Sequence, residues 1–211
     1  MSDVLERLRS LRLVPVVVID DAEAAVPLAR ALVDGGLPCA EITFRTAAAA
    51  EAIRRITVDV PDMLVGAGTV LSPEQARTAA AAGATFIVSP GFNPRVVDHC
   101  NDAGIPIFPG VCTPTEVESA LDRGLRTVKF FPAEAMGGIG YLKAIAAPYA
   151  DVEFIPTGGI GLEQLPAYLS FRRVAAVGGS WMVSREWITS GAFDRVRDAV
   201  AAAVDATRNL G

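Results

Sequence analysis

The chain is poor in the residues that metal centres, disulfide scaffolds and membrane spans require. Histidine occurs once, at His99, so a histidine-clustered metal site is excluded. Cysteine occurs three times, at Cys39, Cys100 and Cys112, widely spaced and with no CxxC pair. An odd, scattered set fits neither a disulfide framework nor a zinc knuckle and points to a reducing compartment. No stretch approaches the ~18 consecutive apolar residues of a membrane span. The first twenty residues carry charges where a secretory leader needs an uncharged run, so the expected location is cytoplasmic. Lysine is nearly missing: Lys129 and Lys143 are the only two among 19 basic residues. With a net charge of −5 and no evident basic face, a nucleic-acid partner is not expected. Neither a GxGxxG fingerprint nor a P-loop lysine is present.

What the chain has in quantity is apolar residue, 51% of 211 positions, enough to bury a sizeable core. Short β-branched runs at 14–19, 39–44, 63–67, 86–89, 105–108, 127–131, 152–155 and 174–177 alternate with Ala-rich stretches of helical charge spacing. Helices are expected at 22–34, 47–56, 73–82, 94–103 and 114–122, several opening on a cap residue and proline (Ser72-Pro73, Asn93-Pro94, Thr113-Pro114). Eight strand–helix units predict a parallel sheet, and eight close naturally into a barrel. The expected fold is α/β, a single (β/α)8 TIM barrel with an N-terminal helix, one domain over 1–211. An open doubly wound sheet is the structural alternative, but Ile19-Asp20-Asp21 follows the first strand where that fold carries its glycines.

Alternation along the strands places the polar residues. In 39–45, Cys39, Glu41, Thr43 and Arg45 share one face and Ala40, Ile42 and Phe44 the other. In 127–131, Thr127, Lys129 and Phe131 share a face in the same way. Counted as strands two and six, these put Glu41 and Lys129 inside the barrel, facing each other across it. Arg45 and Thr69 fall at the C-terminal mouth, where barrel enzymes keep their chemistry. A buried structural ion pair accounts for the same two residues, although desolvation offsets the attraction in such pairs. A charged pair kept inside so hydrophobic a chain points instead to chemistry. Desolvation among Val128, Phe130 and Phe131 favours the neutral amine of Lys129, its nucleophilic form.

Two glycine-rich turns, at 156–161 and 178–181, follow the last two strands and suit close approach of backbone N–H groups to an anion. Gly137 to Gly140 reads as a turn. Lys143, in a helix expected at 141–147, reads as a solvated surface residue and His99 as helix packing. Cys39 and Cys112 read as interior filling, and Trp181 and Trp187 as packing or subunit contacts.

These residues resemble the 2-keto-3-deoxy-6-phosphogluconate (KDPG) aldolase family, the lysine-dependent class I aldolases of the Entner–Doudoroff route. The resemblance runs from about 14 to 187. It is carried by EITFRT at 41–46, GAGTV at 66–70, SPG at 89–91, VKFFPAE at 128–134, PTGGI at 156–160 and VGGSW at 177–181. It implies that Lys129 is the Schiff-base lysine and Glu41 the general acid/base. It further implies that Arg45 and Thr69 hold the substrate carboxylate, Gly158, Gly159 and Ser180 the phosphate, and that Pro90 and Phe131 line the pocket. By the same resemblance the enzyme works without metal or organic cofactor and assembles as a homotrimer. Its expected partners are small molecules, a phosphorylated 2-keto-3-deoxy sugar acid and pyruvate, with 4-hydroxy-2-oxoglutarate as a second substrate. The rivals are a sister aldolase for the galactonate epimer, a metal-dependent phosphosugar epimerase, which wants histidines the chain lacks, and a non-catalytic phosphometabolite-binding barrel.

Overall fold

The computed structural model describes residues 3–208; of the domain expected over 1–211, the first two and last three residues lie outside the described residues. In chain order the elements are α1 (Asp3–Leu11), β1 (Leu13–Val17), a 3-10 turn (Ala22–Ala24), α2 (Ala25–Asp34), β2 (Cys39–Thr43), α3 (Ala49–Asp59), β3 (Leu64–Gly68), α4 (Pro73–Ala81), β4 (Phe86–Val88) and α5 (Pro94–Asp102). Then come β5 (Ile107–Phe108), β6 (Gly110–Val111), α6 (Pro114–Leu121), β7 (Thr127–Phe130), α7 (Gly138–Ala146), β8 (Glu153–Pro156), α8 (Leu165–Leu169), β9 (Val177–Gly179), α9 (Arg185–Thr189) and α10 (Phe193–Arg208). The three cap–proline signals form as the sequence predicts. The side chains of Ser72, Asn93 and Thr113 accept the backbone N–H of Gln75, Arg95 and Glu116, and proline opens each helix.

Every strand pair is parallel. A six-stranded sheet runs β5-β4-β3-β2-β1-β9 and a three-stranded one runs β6-β7-β8, so the fold is α/β with its parallel sheet curled about an interior. The sheets adjoin at two places. Pro109 alone separates β5 from β6, and a residue with no N–H breaks a ladder there. Between β8 and β9, bridges pair Phe154 with Val174 and Thr157 with Gly178.

Two expectations need correction, one of a strand and one of a turn. Apolarity put the last strand at 174–177, yet the ladder follows the register of β1, which pairs Leu13 with Val177 and Pro15 with Gly179. Gly178 and Gly179 thus belong to the strand, not to a turn after it. Likewise Gly138 and Gly140 lie in the first turn of α7, where the sequence reads as a turn alone.

Two apolar layers hold the fold. The outer one packs helices on the strands through residues such as Ile42, Val65, Val128 and Phe130. The inner one, inside the curled sheet, contains Val14, Cys39, Leu64, Phe86, Phe108 and Ile155, with Leu5 and Leu8 of α1 among them. Phe86 and Phe108 meet edge to face, centroids 6.0 Å apart. The alternation of 39–43 is as expected: Cys39 faces inward while Ala40 and Ile42 pack under helices.

Candidate active site

Glu41 on β2 and Lys129 on β7 meet inside the curled sheet, with Nζ 3.5 Å from Oε1 and the Glu41 and Lys129 side chains only 3% and 7% exposed. They sit on strands far apart in sequence; strand alternation alone carries both inward. Beneath and around them lie Leu8, Val14, Phe86, Val88, Phe108 and Ile155, and the space left among these groups is about 10 Å³. The pair therefore faces packed hydrocarbon. The contact is longer than a charge-assisted hydrogen bond. Among the described residues nothing donates a hydrogen bond to the buried Glu41 Oε1. A buried polar atom left unsatisfied in a native structure asks for a functional reason. On its other side Lys129 Nζ lies 5.1 Å from the centroid of the Phe131 ring.

Room for the Glu41 carboxylate is made by Gly68 on the neighbouring strand. A Cβ there would stand 2.0 Å from Oε1 and 2.6 Å from Cδ. Gly68→Ala is expected to push the carboxylate off its position. Overpacking should cost about 1–3 kcal/mol of stability and, in addition, turnover. Urea melts and rate measurements on the same preparation check this; an unchanged rate would show that the placement of Glu41 does not matter.

The mouth of the curled sheet carries the remaining polar groups. Arg45, two residues beyond β2, donates through Nε to Thr69 Oγ1 at 3.4 Å. Thr69 follows β3 with φ +57, a left-handed backbone that a β-branched residue adopts at a cost of about 1–3 kcal/mol, and such strain clusters at functional sites. A cavity of about 590 Å³ opens beside them, lined in part by Arg45, Phe131, Thr157, Gly158, Gly159 and Ser180. Gly158 and Gly159 have φ of +107 and +78, which the sharp turn after β8 requires and which glycine adopts freely. The loop is tied to the one after β7, because Glu134 N–H donates to the Gly158 carbonyl and Ala133 N–H to that of Thr157.

Thr157 joins the two levels of the site. It lines the open cavity and also the buried space around Lys129 and Glu41. Sequence reasoning had not singled it out, nor Gly68; the signal for each was its place inside a glycine motif. Trp181, expected to serve in packing or subunit contacts, does pack against the core and also lines the cavity. Its ring occupies the place a side chain at position 179 would take, 1.7 Å from that Cβ. Pro90 stands apart from the Arg45–Ser180 cavity, on an adjoining depression with Ser89, Phe92 and Asn93.

The other candidate nucleophiles lie outside this arrangement. Burial pushes the thiols of Cys39 and Cys100 up, the latter to about 11. Burial and the neighbouring Glu116 raise that of Cys112, so none is a ready thiolate. Lys143 is exposed on α7, near the ring of Phe171, and His99 is half-buried on α5.

Comparison with known proteins gives the lineage. The family model for KDPG and KHG aldolases matches residues 4–199. The chain belongs to the KDPG and KHG aldolase family. It is 54% identical to a 2-dehydro-3-deoxy-phosphogluconate aldolase of Treponema pallidum, over 93% of each chain. It is 43% identical to the KHG/KDPG aldolase of Escherichia coli K12, over 92% of each. Among solved structures it superposes with a TM-score of 0.92 on a KDPG aldolase from Legionella pneumophila, at 39% identity, over 96% of this chain and 98% of that one. That crystal structure captured pyruvate as a covalent carbinolamine. Within the KDPG and KHG aldolase family, then, this chain has one lysine inside the curled sheet, and a carboxylate is its buried ionic partner.

Proposed function

We propose that this chain is a class I aldolase. It cleaves 2-keto-3-deoxy-6-phosphogluconate reversibly to pyruvate and glyceraldehyde 3-phosphate, the lyase step of the Entner–Doudoroff route, and 4-hydroxy-2-oxoglutarate to pyruvate and glyoxylate. The observation that carries the reading is the Lys129–Glu41 pair, buried among apolar side chains and separated by Thr157 from the cavity that Arg45, Gly158, Gly159 and Ser180 line. In the reaction Lys129 Nζ, once its proton has passed to Glu41, attacks the C2 ketone and gives a carbinolamine. Loss of water leaves a protonated imine, an electron sink. The C4 hydroxyl then loses its proton and the C3–C4 bond breaks. Its electron pair flows to the imine nitrogen as the enamine of pyruvate, and the aldehyde departs. Protonation at C3 and hydrolysis release pyruvate and restore the amine. Glu41 is the group placed to carry those protons, since its Oε1 lies beside Nζ and has no donor of its own among the described residues.

The substrate's two anionic ends fit the mouth. Arg45, steadied by Thr69, suits the carboxylate, for which a guanidinium fork is matched in geometry. Gly158 and Gly159 offer backbone N–H groups and Ser180 a hydroxyl to the phosphate. We further read the nine strand segments as eight strands of one closed barrel forming a single catalytic domain. Support comes from the Thr157–Gly178 bridge and from Pro109 dividing what is otherwise one strand. The homotrimer rests on the family resemblance, and a reducing cytoplasm accords with three free cysteines.

The deciding experiment is incubation with pyruvate and borohydride, followed by intact mass and peptide mapping. One pyruvyl adduct per chain on Lys129 is the expected result, and no adduct on folded protein would defeat the aldolase reading. For the phosphate loops, Ser180→Asp should raise KM for the phosphorylated substrate by tenfold or more, about the worth of one charge-assisted hydrogen bond, and leave KM for 4-hydroxy-2-oxoglutarate near its original value. Equal effects on both substrates would remove the phosphate assignment.

A further inference from the structure

At the opposite end of the curled sheet from Arg45 and Ser180, where the strands begin, lies a second depression of about 440 Å³. Four arginines line it: Arg9 from α1, Arg126 before β7, and Arg172 and Arg173 from the segment leading to β9. Asp151 and Glu153 are its acidic members, so the lining carries a surplus of two positive charges on a chain whose net charge is −5. Two of the four arginines have internal duties. Arg9 is paired with Glu153 and Glu6, and Arg173 donates to the carbonyls of Ala146 and Tyr149 at the end of α7. Arg126 and Arg172 are exposed, and their side chains make no hydrogen bond or ion pair among the described residues. Their guanidinium donors have nothing in the fold to satisfy.

We propose that this depression is a second anion site, taking a small phosphorylated metabolite of two or more negative charges, with Arg126 and Arg172 as its principal ligands. Arginine presents planar forks that match phosphate oxygens, and several such forks converging on one concavity repel each other until an anion fills it. The volume suits a small ligand. An extended polyanion such as nucleic acid fits less well, because the basic lining is confined to one depression of an acidic chain. The site stands apart from the reaction chemistry, although Thr127, which also lines it, lies on β7 two residues before Lys129.

Inorganic pyrophosphate is the probe, titrated calorimetrically into the full chain at low ionic strength. The Ser180→Asp background is used so that the cavity at the other end is charged against phosphate. One pyrophosphate per chain is expected to bind there. Arg126→Gln with Arg172→Gln should weaken binding by at least about tenfold and leave aldol cleavage by the otherwise unaltered chain unchanged. Arg172→Lys, which keeps the charge but loses the fork, should fall between. Both arginines are exposed, and circular dichroism verifies that each variant folds. No binding in the Ser180→Asp chain, or binding indifferent to the paired glutamines, overturns the proposal.

Discussion

Lys129→Met is expected to abolish the pyruvyl adduct and to lower kcat by about 10⁴-fold or more, the scale on which loss of a covalent nucleophile registers. The residual rate would come from binding and polarisation alone. The same change leaves Glu41 as a buried carboxylate without its cation. Removing one member of a buried pair costs about 3–5 kcal/mol, so the melting temperature should fall as well. Adding Glu41→Gln to Lys129→Met should recover part of that stability and none of the activity, a combination that separates the electrostatic cost from the chemical one. An adduct surviving in Lys129→Met, or mapping to Lys143, would show that the nucleophile is elsewhere.

Glu41→Gln alone has a different signature. The nucleophile remains, so pyruvate should still be trapped by borohydride, only more slowly. Steps that need a proton delivered or removed should lose about 10²–10⁴-fold in kcat, with KM little altered because Glu41 sits below the cavity that receives the substrate's charged ends. A kcat within a few-fold of the original would reduce Glu41 to a structural partner of Lys129.

The legible part of this fold was its alternation. The period of two in 39–45 and 127–131 was enough to send Glu41 and Lys129 inward, and the scarcity of lysine made position 129 conspicuous. Helix starts at Ser72, Asn93 and Thr113 were equally readable, because cap and proline are adjacent in sequence. What the sequence concealed depends on neighbours across strands. Gly68 matters through its distance to Glu41, and Thr157 through lying between two spaces; no spacing within one segment encodes either. The last strand was misplaced because hydrophobicity marks Ala175 and Ala176 as strand-like, whereas pairing with β1 selects Val177 to Gly179. The split at Pro109 was missed because its effect is on a ladder, not on local propensity. Pro90, assigned to the pocket by resemblance, lies on a separate depression.

The place of α1 bears on how the chain is made. Leu8 forms part of the floor beneath Lys129, yet its companions there come from as far along the chain as Phe108 and Ile155. Made before the strands it packs on, α1 must wait with Leu5 and Leu8 uncovered until β8 has been synthesised. Contacts so distant in sequence pay the loop-closure cost late. Dry surroundings for the reactive amine are therefore acquired late in synthesis, although the helix that helps supply them is made before every strand it covers.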